Sequence, residues 1–264
     1  MTKLTLLVKA SNLGQVKQIN ELLKTQFTEL DVEIEVSNNT TNRWIQVSLS
    51  GEDENIATSY INKEIGTCPT SLENAKKYSV LRGYISKLDL TKQELSVDVG
   101  IFEPKIVLTT VPLAILQMQL AEGRKVDLKK IAEIYGLVER SPLSIKPVSP
   151  ITEEVEGLQT ELAAEQVERL RSWQQSLLDR LIILGASLDK IENVLERTRL
   201  NRDVIEIETL GMFEHALTCK LGTNAAGLVS IVGRYLRNSV FVVFNAKKSL
   251  DFLSEQGVIP SLTQ

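Results

Sequence analysis

The stretch that decides the fold lies near the carboxyl end of the chain: ILGASLDKIENVLERTRL at residues 183–200, followed by DVIEIE at 203–208. After Ser187 apolar residues recur every three or four positions, which is the spacing of an amphipathic helix. The second segment alternates as a strand with one buried face does. A matching pair, VKASNLGQVKQINELLKT and DVEIEV, occupies residues 8–25 and 31–36. The chain therefore contains an internal duplication of a strand–helix–strand pattern.

Each copy continues with the same kinds of element. In the first copy, Trp44 to Leu49 alternates as a strand and a short helix follows from Gly51. The order strand, helix, strand, strand, helix is typical of a ferredoxin-like, or split βαβ, unit. We expect the last strand of this unit in the region of residues 78–85.

The second copy has three further features. Phe213 to Leu221 alternates, Thr223 is placed to cap a helix, and Val240 to Phe244 is an apolar strand. The segment Leu177–Leu184, which opens this copy, fits either a strand or the end of a long helix, and we favour a strand. The two copies predict two ferredoxin-like units.

The residues between the two copies have a different pattern. Three short strands, two helices and a proline-flanked strand are predicted, at Leu81–Ser86, Glu94–Gly100, Lys105–Thr110, Leu113–Leu120, Leu128–Tyr135 and Pro142–Val148. An early glycine, Gly83, would let the first strand bend around a small closed sheet, so the segment resembles an OB-type barrel. A plain small α+β unit fits the same order, and both interpretations stay open.

These patterns define an α+β protein in four parts. We predict a ferredoxin-like domain at residues 1–78, an OB-like or small α+β domain at 79–150, and a second ferredoxin-like domain at 177–264. The intervening segment, 151–176, is predicted to be an acidic linker, with glutamates at 153, 154 and 156, and a charged amphipathic helix over Leu158–Gln175.

Composition excludes several classes of protein. The formal net charge is −4, and residues 79–150 carry 10 basic and 8 acidic side chains, so strong non-specific binding to a phosphate backbone is not expected. The longest apolar run, Val111–Ala121, is too short to cross a membrane. One histidine and two distant cysteines, Cys68 and Cys219, argue against a zinc site and fit a reducing cytoplasm. We therefore expect a cytoplasmic protein with no membrane partner, no metal and no cofactor.

Two neighbouring segments carry a resemblance to a known family. The stretches NRDVIEIETLG, residues 201–211, and EHALTCKLGT, residues 214–223, resemble an archaeal family of uncharacterised proteins, and the resemblance extends over the whole chain. It implies an archaeal, cytoplasmic housekeeping protein, associated with information processing. The family supplies no activity that could be assigned to particular residues.

The turn after the last alternating strand is a candidate anion site. Lys220, Gly222, Thr223 and Asn224 lie where a strand gives way to a helix, and free N–H groups at a helix start attract phosphate. Gly222 and Gly227 have the spacing of a P-loop, but its Lys-Ser/Thr pair is missing, so nucleotide hydrolysis is not expected. The simpler interpretation is a capped helix.

Other potentially reactive side chains are better explained by structural roles than by catalysis. Glu206 and Glu208 project from one face of a strand, as Glu33 and Glu35 do in the first copy, which indicates a solvated face. His215 is the single histidine, and Cys219 lies about 13 Å further along an extended strand, too far to form a catalytic pair. We predict no catalytic residue.

Basic side chains suggest two weakly basic contact surfaces for nucleic acid. The candidates are Arg82, Tyr84 and Lys105 in the middle domain and Arg202, Arg234 and Arg237 in the last domain.

The leading hypothesis is a non-catalytic adaptor that contacts RNA or a ribonucleoprotein. The alternatives are a protein-interaction module and, less favoured, an enzyme for a phosphorylated ligand at Gly222–Gly227. Exposed aromatic rings on the barrel would favour the first, an uncovered apolar stripe on the linker helix the second, and a pocket joining His215, Arg202 and the Gly222 turn the third.

Overall fold

The first copy of the duplicated pattern forms a three-stranded sheet with helices on one face. The computed structural model describes residues 1–38, 42–76, 79–148 and 158–254. The amino-terminal unit contains β1 (Thr2–Lys9), α1 (Leu13–Gln26), β2 (Glu33–Ser37), β3 (Trp44–Ser50) and α2 (Glu54–Tyr60), which continues as a π-helical turn over Ile61–Ile65. The strand order is β1-β3-β2, and both pairings are antiparallel. Alternation places Leu6, Val8 and Ile45 under the helices.

The middle of the chain closes into a five-stranded barrel. Its elements are β4 (Thr70–Ser71), α3 (Leu72–Ala75), β5 (Leu81–Asp89), β6 (Glu94–Glu103), β7 (Val107–Pro112), α4 (Leu113–Leu120), α5 (Leu128–Tyr135), β8 (Pro142–Pro147), β9 (Leu158–Leu162) and α6 (Ala164–Gln175). The strands follow the order β6-β5-β8-β9-β7, and β7 pairs back to β6, which closes the ring. The β7–β9 pairing is parallel, and the other pairings of the ring are antiparallel. The short strand β4 extends the sheet from the side of β6.

The second copy forms a four-stranded sheet. Its elements are β10 (Arg180–Leu184), α7 (Leu188–Thr198), β11 (Val204–Gly211), β12 (Glu214–Cys219), α8 (Ala225–Val232) and β13 (Val240–Phe244). The strand order is β11-β12-β10-β13, and all three pairings are antiparallel. The final helix, α9 (Ala246–Ser254), packs against α6, so that the chain returns to the barrel unit.

Both faces of β10, a central strand of the carboxyl-terminal sheet, are covered. Leu181 and Ile183 of β10 pack beneath α7 and α8, whereas Ile182 and Leu184 belong to the core of the barrel unit. Burial on both faces explains why the segment RLIIL is apolar without alternation. The barrel unit and the carboxyl-terminal unit therefore share one hydrophobic core.

The amino-terminal unit meets the other two through smaller contacts. Trp44 packs edge-to-face on Tyr84 of the barrel, with ring centroids 5.5 Å apart. Phe213, in the turn between β11 and β12, is buried in the amino-terminal core. A Cβ at Gly83 would lie 2.3 Å from the Asp98 carbonyl oxygen, so only glycine permits the close crossing of β5 over β6.

Two sequence predictions need correction. The segment Leu158–Leu162 is not helical: it is the last barrel strand, and the helix begins at Ala164. Leucines four residues apart imitated a helix, but pairing with β7 and β8 decides the conformation. The predicted last strand of the amino-terminal unit is barrel strand β5 instead, and the first sheet gains only an isolated bridge between Leu6 and Thr67. The acidic run at 153–156 lies outside the described residues.

Other sequence predictions are confirmed. The segment Leu177–Leu184 contains a strand rather than the end of a long helix, and a closed barrel occupies the middle of a mixed α+β chain.

Candidate nucleic-acid interface

One exposed aromatic ring lies among arginines on the helical side of the carboxyl-terminal unit. The guanidinium carbon of Arg197 lies 5.5 Å from the centroid of the Tyr235 ring, and 48% of Tyr235 is exposed. Arg234 and Arg237 flank the tyrosine and are also exposed. We call Arg197, Arg234, Tyr235 and Arg237 the basic–aromatic patch. At that distance Arg197 is in cation–π contact with the ring.

The local sequence explains why these side chains meet. Helices α7 and α8 lie side by side on the same face of the sheet, held by apolar residues that include Val194, Leu195 and Leu228. Arg197 is in the last turn of α7, and α8 ends at Val232, with Gly233 as its C-cap just before Arg234. The buried stripes of both helices therefore direct the patch residues toward solvent.

The arginines of the patch are not paired with any described carboxylate. Within the described ranges, no carboxylate forms an ion pair with Arg197, Arg234 or Arg237. The one contact among them is a hydrogen bond from Arg237 Nε to the Arg234 carbonyl oxygen at 3.4 Å. Three uncompensated guanidinium groups beside a ring can contact phosphates and a base together.

The sequence named Arg234 and Arg237 but not their pairing with Arg197 and Tyr235. The split βαβ pattern contained a signal for it, because the two helices of such a unit lie on the same face of its sheet. The third predicted residue of this domain, Arg202, is exposed at the end of a 3₁₀ turn before β11. No described contact joins it to the patch.

The three candidates of the barrel are dispersed. Arg82 is exposed and lines a cleft of about 520 Å³ between β1, β5 and the β11–β12 turn. Lys105 is exposed in the loop between β6 and β7. Tyr84 is 4% exposed, so its ring cannot stack on a base from solvent. Burial, with the nearby Glu214 as a smaller cause, raises the pKa of Tyr84 well above its usual value.

The turn at Lys220–Asn224 forms the start of a helix. Asn224, not Thr223, is the N-cap, and its side-chain oxygen accepts a hydrogen bond from the Ala226 N–H at 3.0 Å. The Thr223 N–H donates to the Lys220 carbonyl oxygen at 2.9 Å. Gly222 has a φ of 87°, which explains the glycine. Two N–H groups that an anion would use are therefore already engaged.

The surroundings of the remaining potentially reactive groups indicate structural roles. Glu208 is more than a solvated carboxylate, because its Oε2 accepts a hydrogen bond from Trp173 Nε1 at 2.8 Å. His215 is buried, and burial lowers its pKa, although the carbonyl groups of Met212 and Ala186 oppose this effect. Neither of its ring nitrogens has a hydrogen-bond partner of good geometry. Burial raises the pKa of Cys219 to about 11, so the thiol is protonated at neutral pH.

Each of the three functional hypotheses predicts a structural feature. In the parts of the barrel unit that the structure describes, Phe102 is partly buried and the other aromatic rings are buried. The apolar side of α6, with Val167, Leu170 and Trp173, is also buried. None of the described cavities joins His215, Arg202 and Gly222. The exposed ring lies instead in the last unit.

Two general features of the described residues bear on function. No group of three or more histidine, cysteine, aspartate or glutamate side chains is arranged to hold a metal ion. The helices of the described segments are all too short or too polar to cross a bilayer.

Comparison with known proteins identifies the family. Models of the DUF2110 N-terminal, central and C-terminal domains match residues 6–71, 75–174 and 178–244. No curated protein matches the chain. A crystal structure of a protein provisionally described as an exosome complex RNA-binding protein aligns over 67% of this chain and 93% of its own, with 10% identity and a TM-score of 0.24. A likeness that low carries no argument about function. Because the three domain models together cover nearly all of its length, the chain belongs to the DUF2110 family of uncharacterised proteins.

Proposed function

We propose that this protein is a non-catalytic adaptor that binds single-stranded RNA through the basic–aromatic patch. The observation that carries the proposal is the exposed Tyr235 ring, in cation–π contact with Arg197 and flanked by two further arginines that form no ion pair within the described ranges. A base can stack on such a ring while the guanidinium groups contact the phosphates on either side. Stacking of this kind contributes about 1–3 kcal/mol per base.

The proposed affinity is modest. The patch supplies three arginines, whereas the whole chain has a net charge of −4. For a single strand the logarithm of the binding constant falls by about 0.7 per phosphate contact for each tenfold rise in salt. Three contacts therefore predict a slope of about −2, which is measurable but well below that of a dedicated nucleic-acid binder.

The architecture supports this location. The carboxyl-terminal unit has the element order and antiparallel strand order of a ferredoxin-like fold, and we propose that assignment for both flanking units. The barrel connectivity supports an OB-type assignment, in which the second and third strands are the usual binding face. Here the outer face of β6 is covered at Asp98 and Gly100 by Lys9, Trp44 and Cys68 of the preceding unit. RNA is therefore assigned to the last unit rather than to the barrel.

The resemblance noted from the sequence completes the proposal. We take the protein to be archaeal and cytoplasmic, with an RNA or ribonucleoprotein partner, and we place the domain boundaries near residues 78, 150 and 176. The anion site at Lys220, Gly222, Thr223 and Asn224 stays a weaker part of the proposal, as do the contacts by Arg202, Arg82 and Lys105.

Fluorescence anisotropy with a mixed single-stranded RNA pool across a salt series tests the proposal. Tyr235→Ala should weaken binding at least fivefold, whereas Tyr235→Phe, which keeps the ring, should change it less than twofold. The double variant Arg234→Ala/Arg237→Ala should reduce the salt slope by about 1.4. Lys190→Ala is the matched control, because Lys190 is an exposed cation at the opposite end of α7.

Two outcomes would reject the proposal. The first is the absence of binding even at low salt. The second is an equal loss of affinity in Lys190→Ala, or a loss confined to Arg82→Ala/Lys105→Ala, which would place the contact on the barrel.

A further inference from the structure

A cavity of about 360 Å³ lies where the three units of the fold meet. Residues from three distant parts of the chain line it, among them Lys9, Ser11, Arg43, Tyr84, Asp98, Arg140 and Glu214. The cavity is separate from the basic–aromatic patch, and the residues that line it play no part in the proposed RNA contact. Its walls carry three cations, which raises the question of what would neutralise them.

One of the cations is already neutralised. Lys9 Nζ lies 2.6 Å from Oδ2 of the buried Asp98. The same oxygen accepts hydrogen bonds from Asn42 Nδ2 at 2.9 Å and Trp44 Nε1 at 3.2 Å, and Oδ1 accepts from the Gly100 N–H at 3.0 Å. Both carboxylate oxygens of Asp98 therefore already have partners, and its charge is balanced by Lys9.

The two arginines have no such partner. Within the described ranges, neither Arg43 nor Arg140 has a carboxylate at ion-pair distance. The Arg140 guanidinium donates a hydrogen bond to Ser11 Oγ, and its Nη2 lies against Gly185, where a Cβ would be only 3.4 Å away. The cavity thus presents an exposed guanidinium, Arg43, and a half-buried one, Arg140, and neither forms an ion pair with a described residue. A charge that opposes them is that of the buried Glu214, which interacts electrostatically with Arg140.

The backbone places both arginines in an unusual conformation. Arg43 has a φ of 64° and Arg140 a φ of 73°, in the left-handed region that non-glycine residues rarely adopt. These two residues come from separate units of the fold and border the same cavity. Strained backbone of this kind is concentrated at functional sites, because the surrounding structure must hold it in place.

One helix start adds to the positive potential. Helix α1 begins at Leu13, just after its N-cap Asn12, and has no acidic residue in its first turn. The Arg140 guanidinium is hydrogen-bonded to the preceding residue, Ser11, so the positive end of the α1 dipole lies near Arg140. Helix α7, which begins at Leu188, carries Asp189 in its first turn and adds no such potential.

The acidic groups nearby do not cancel this potential. Glu139 is exposed at the rim. Glu214 is buried and accepts hydrogen bonds from Tyr84 Oη at 3.4 Å and from the Phe213 N–H at 3.3 Å. Burial raises the pKa of Glu214 to about 7, so this carboxyl is partly protonated at neutral pH.

We infer that the cavity binds a phosphomonoester on a ligand about the size of a nucleotide, with Arg43 and Arg140 holding the phosphate. A phosphomonoester carries a charge of about −1.5 to −2 near neutral pH, which matches two unpaired guanidinium groups. Arginine forks bind phosphate oxygens in pairs. The cavity is much larger than a phosphate alone, and Ile85 and Leu108 supply an apolar part of its wall for the rest of the ligand.

Titration calorimetry of the full chain tests this inference with adenosine 5′-monophosphate, ribose 5-phosphate and adenosine. We expect both phosphorylated probes to bind and adenosine to bind at least tenfold more weakly. Two RNA oligonucleotides of one sequence, with a 5′-phosphate or a 5′-hydroxyl group, distinguish the two sources of the phosphate. Binding of the free nucleotide indicates a soluble ligand, whereas a preference confined to the phosphorylated oligonucleotide indicates an RNA end.

The variants are chosen to stay folded. Arg43→Gly removes one guanidinium and relieves the left-handed backbone, so it should fold well and still lose at least tenfold in affinity. Arg140→Ala should show a similar loss. Arg82→Ala, an exposed arginine outside the cavity, and Arg234→Ala/Arg237→Ala in the patch should leave this affinity unchanged.

Two results would overturn the inference. One is the failure of every phosphorylated probe to bind at millimolar concentration. The other is binding that Arg43→Gly and Arg140→Ala leave intact. Failure of the patch variants to alter RNA binding would count against the proposed function alone, because the two sites share no residue.

Discussion

In the carboxyl-terminal sheet both faces of β10 are buried, whereas the amino-terminal sheet buries its helical face and leaves Glu33 and Glu35 exposed on β2. The two sheets have the same strand–helix–strand–strand–helix order but different relations to the barrel. The carboxyl-terminal sheet shares an apolar core with it. The amino-terminal sheet contacts it through the Lys9–Asp98 pair and a small group around Trp44. One duplicated pattern thus supports an apolar interface in one copy and, in the other, an interface that combines a buried ion pair with a small aromatic cluster.

The largest expected effect comes from breaking the shared apolar core. Phe244 is fully buried and packs edge-to-face on Trp173, with centroids 5.6 Å apart. Phe244→Ala should lower the free energy of unfolding by about 4 kcal/mol, since it removes buried area and leaves a cavity. Urea unfolding measures the change. Val240→Ala on the same strand is the control and should cost less than about 1 kcal/mol, because Val240 is 37% exposed.

The interface between the amino-terminal unit and the barrel should lose stability when its ion pair is broken. Asp98→Ala removes the acceptor of Lys9 Nζ and Asn42 Nδ2 and should cost about 3 kcal/mol, because it leaves a partly buried cation unpaired. Hydrogen exchange should then increase in the amino-terminal unit more than in the barrel. The double variant Lys9→Met/Asp98→Asn removes both charges and should recover a large part of the loss. A loss that the double variant does not reduce would contradict a role for the ion pair.

Glu214, which lines the cavity where the three units meet, should make the free energy of unfolding depend on pH. The folded pKa of Glu214 is raised to about 7 by burial, from an ordinary value of 4.5, despite opposing contributions from Phe213, Tyr84 and Arg140. Its contribution is complete below pH 4.5 and is lost as the pH rises through about 7, a change on the order of 3 kcal/mol. His215 acts in the opposite direction, because burial lowers its pKa and low pH favours the unfolded chain.

Comparing the wild type with Glu214→Gln therefore separates the effect of Glu214 on stability from that of His215. Urea unfolding of the wild type and Glu214→Gln between pH 4.5 and 8 should show that the wild type loses more stability than the variant as the pH rises. Parallel curves for the two proteins would exclude a titration of Glu214 in this range.

The smallest effect distinguishes the corresponding outer strands of the two sheets. Glu208→Ala should cost about 1–2 kcal/mol, because the buried Trp173 loses the acceptor of its Nε1–H. Glu35→Ala, at an exposed position of β2, should change stability by less than about 0.5 kcal/mol. Equal effects at the two positions, measured by urea unfolding, would show that the outer strands are equivalent after all.

Much of the local structure could be predicted because periodicity is a local property. The strand β1, the helix α1, the alternating β2 and β3, and their counterparts in the last unit follow from apolar spacing alone. The same reasoning was wrong for Leu158–Leu162, whose spacing fits a helix but whose partners β7 and β8 are about 15 to 50 residues away. Sequence spacing does not report hydrogen bonds made at that distance.

The candidate sites were predictable to a lesser degree. Arg234 and Arg237 were visible as charges, but the contact of Arg197 with Tyr235 needed the packing of α7 against α8. Tyr84 was expected at a surface, and the approach of the amino-terminal sheet buried it. Asp98 could have been noticed as a lone acid in the apolar strand LSVDVGIF, which indicates a buried charge with a dedicated partner.

The amino-acid sequence by itself determined the order of strands and helices, the duplication and the α+β class, since each follows from contacts between residues close in the chain. Only the tertiary structure decided which sheet each strand joins and which face of each sheet is covered. It alone brought Arg43 and Arg140, 97 positions apart, to one cavity. The physical reason is that long-range packing depends on how whole faces fit together, and no local pattern records that fit.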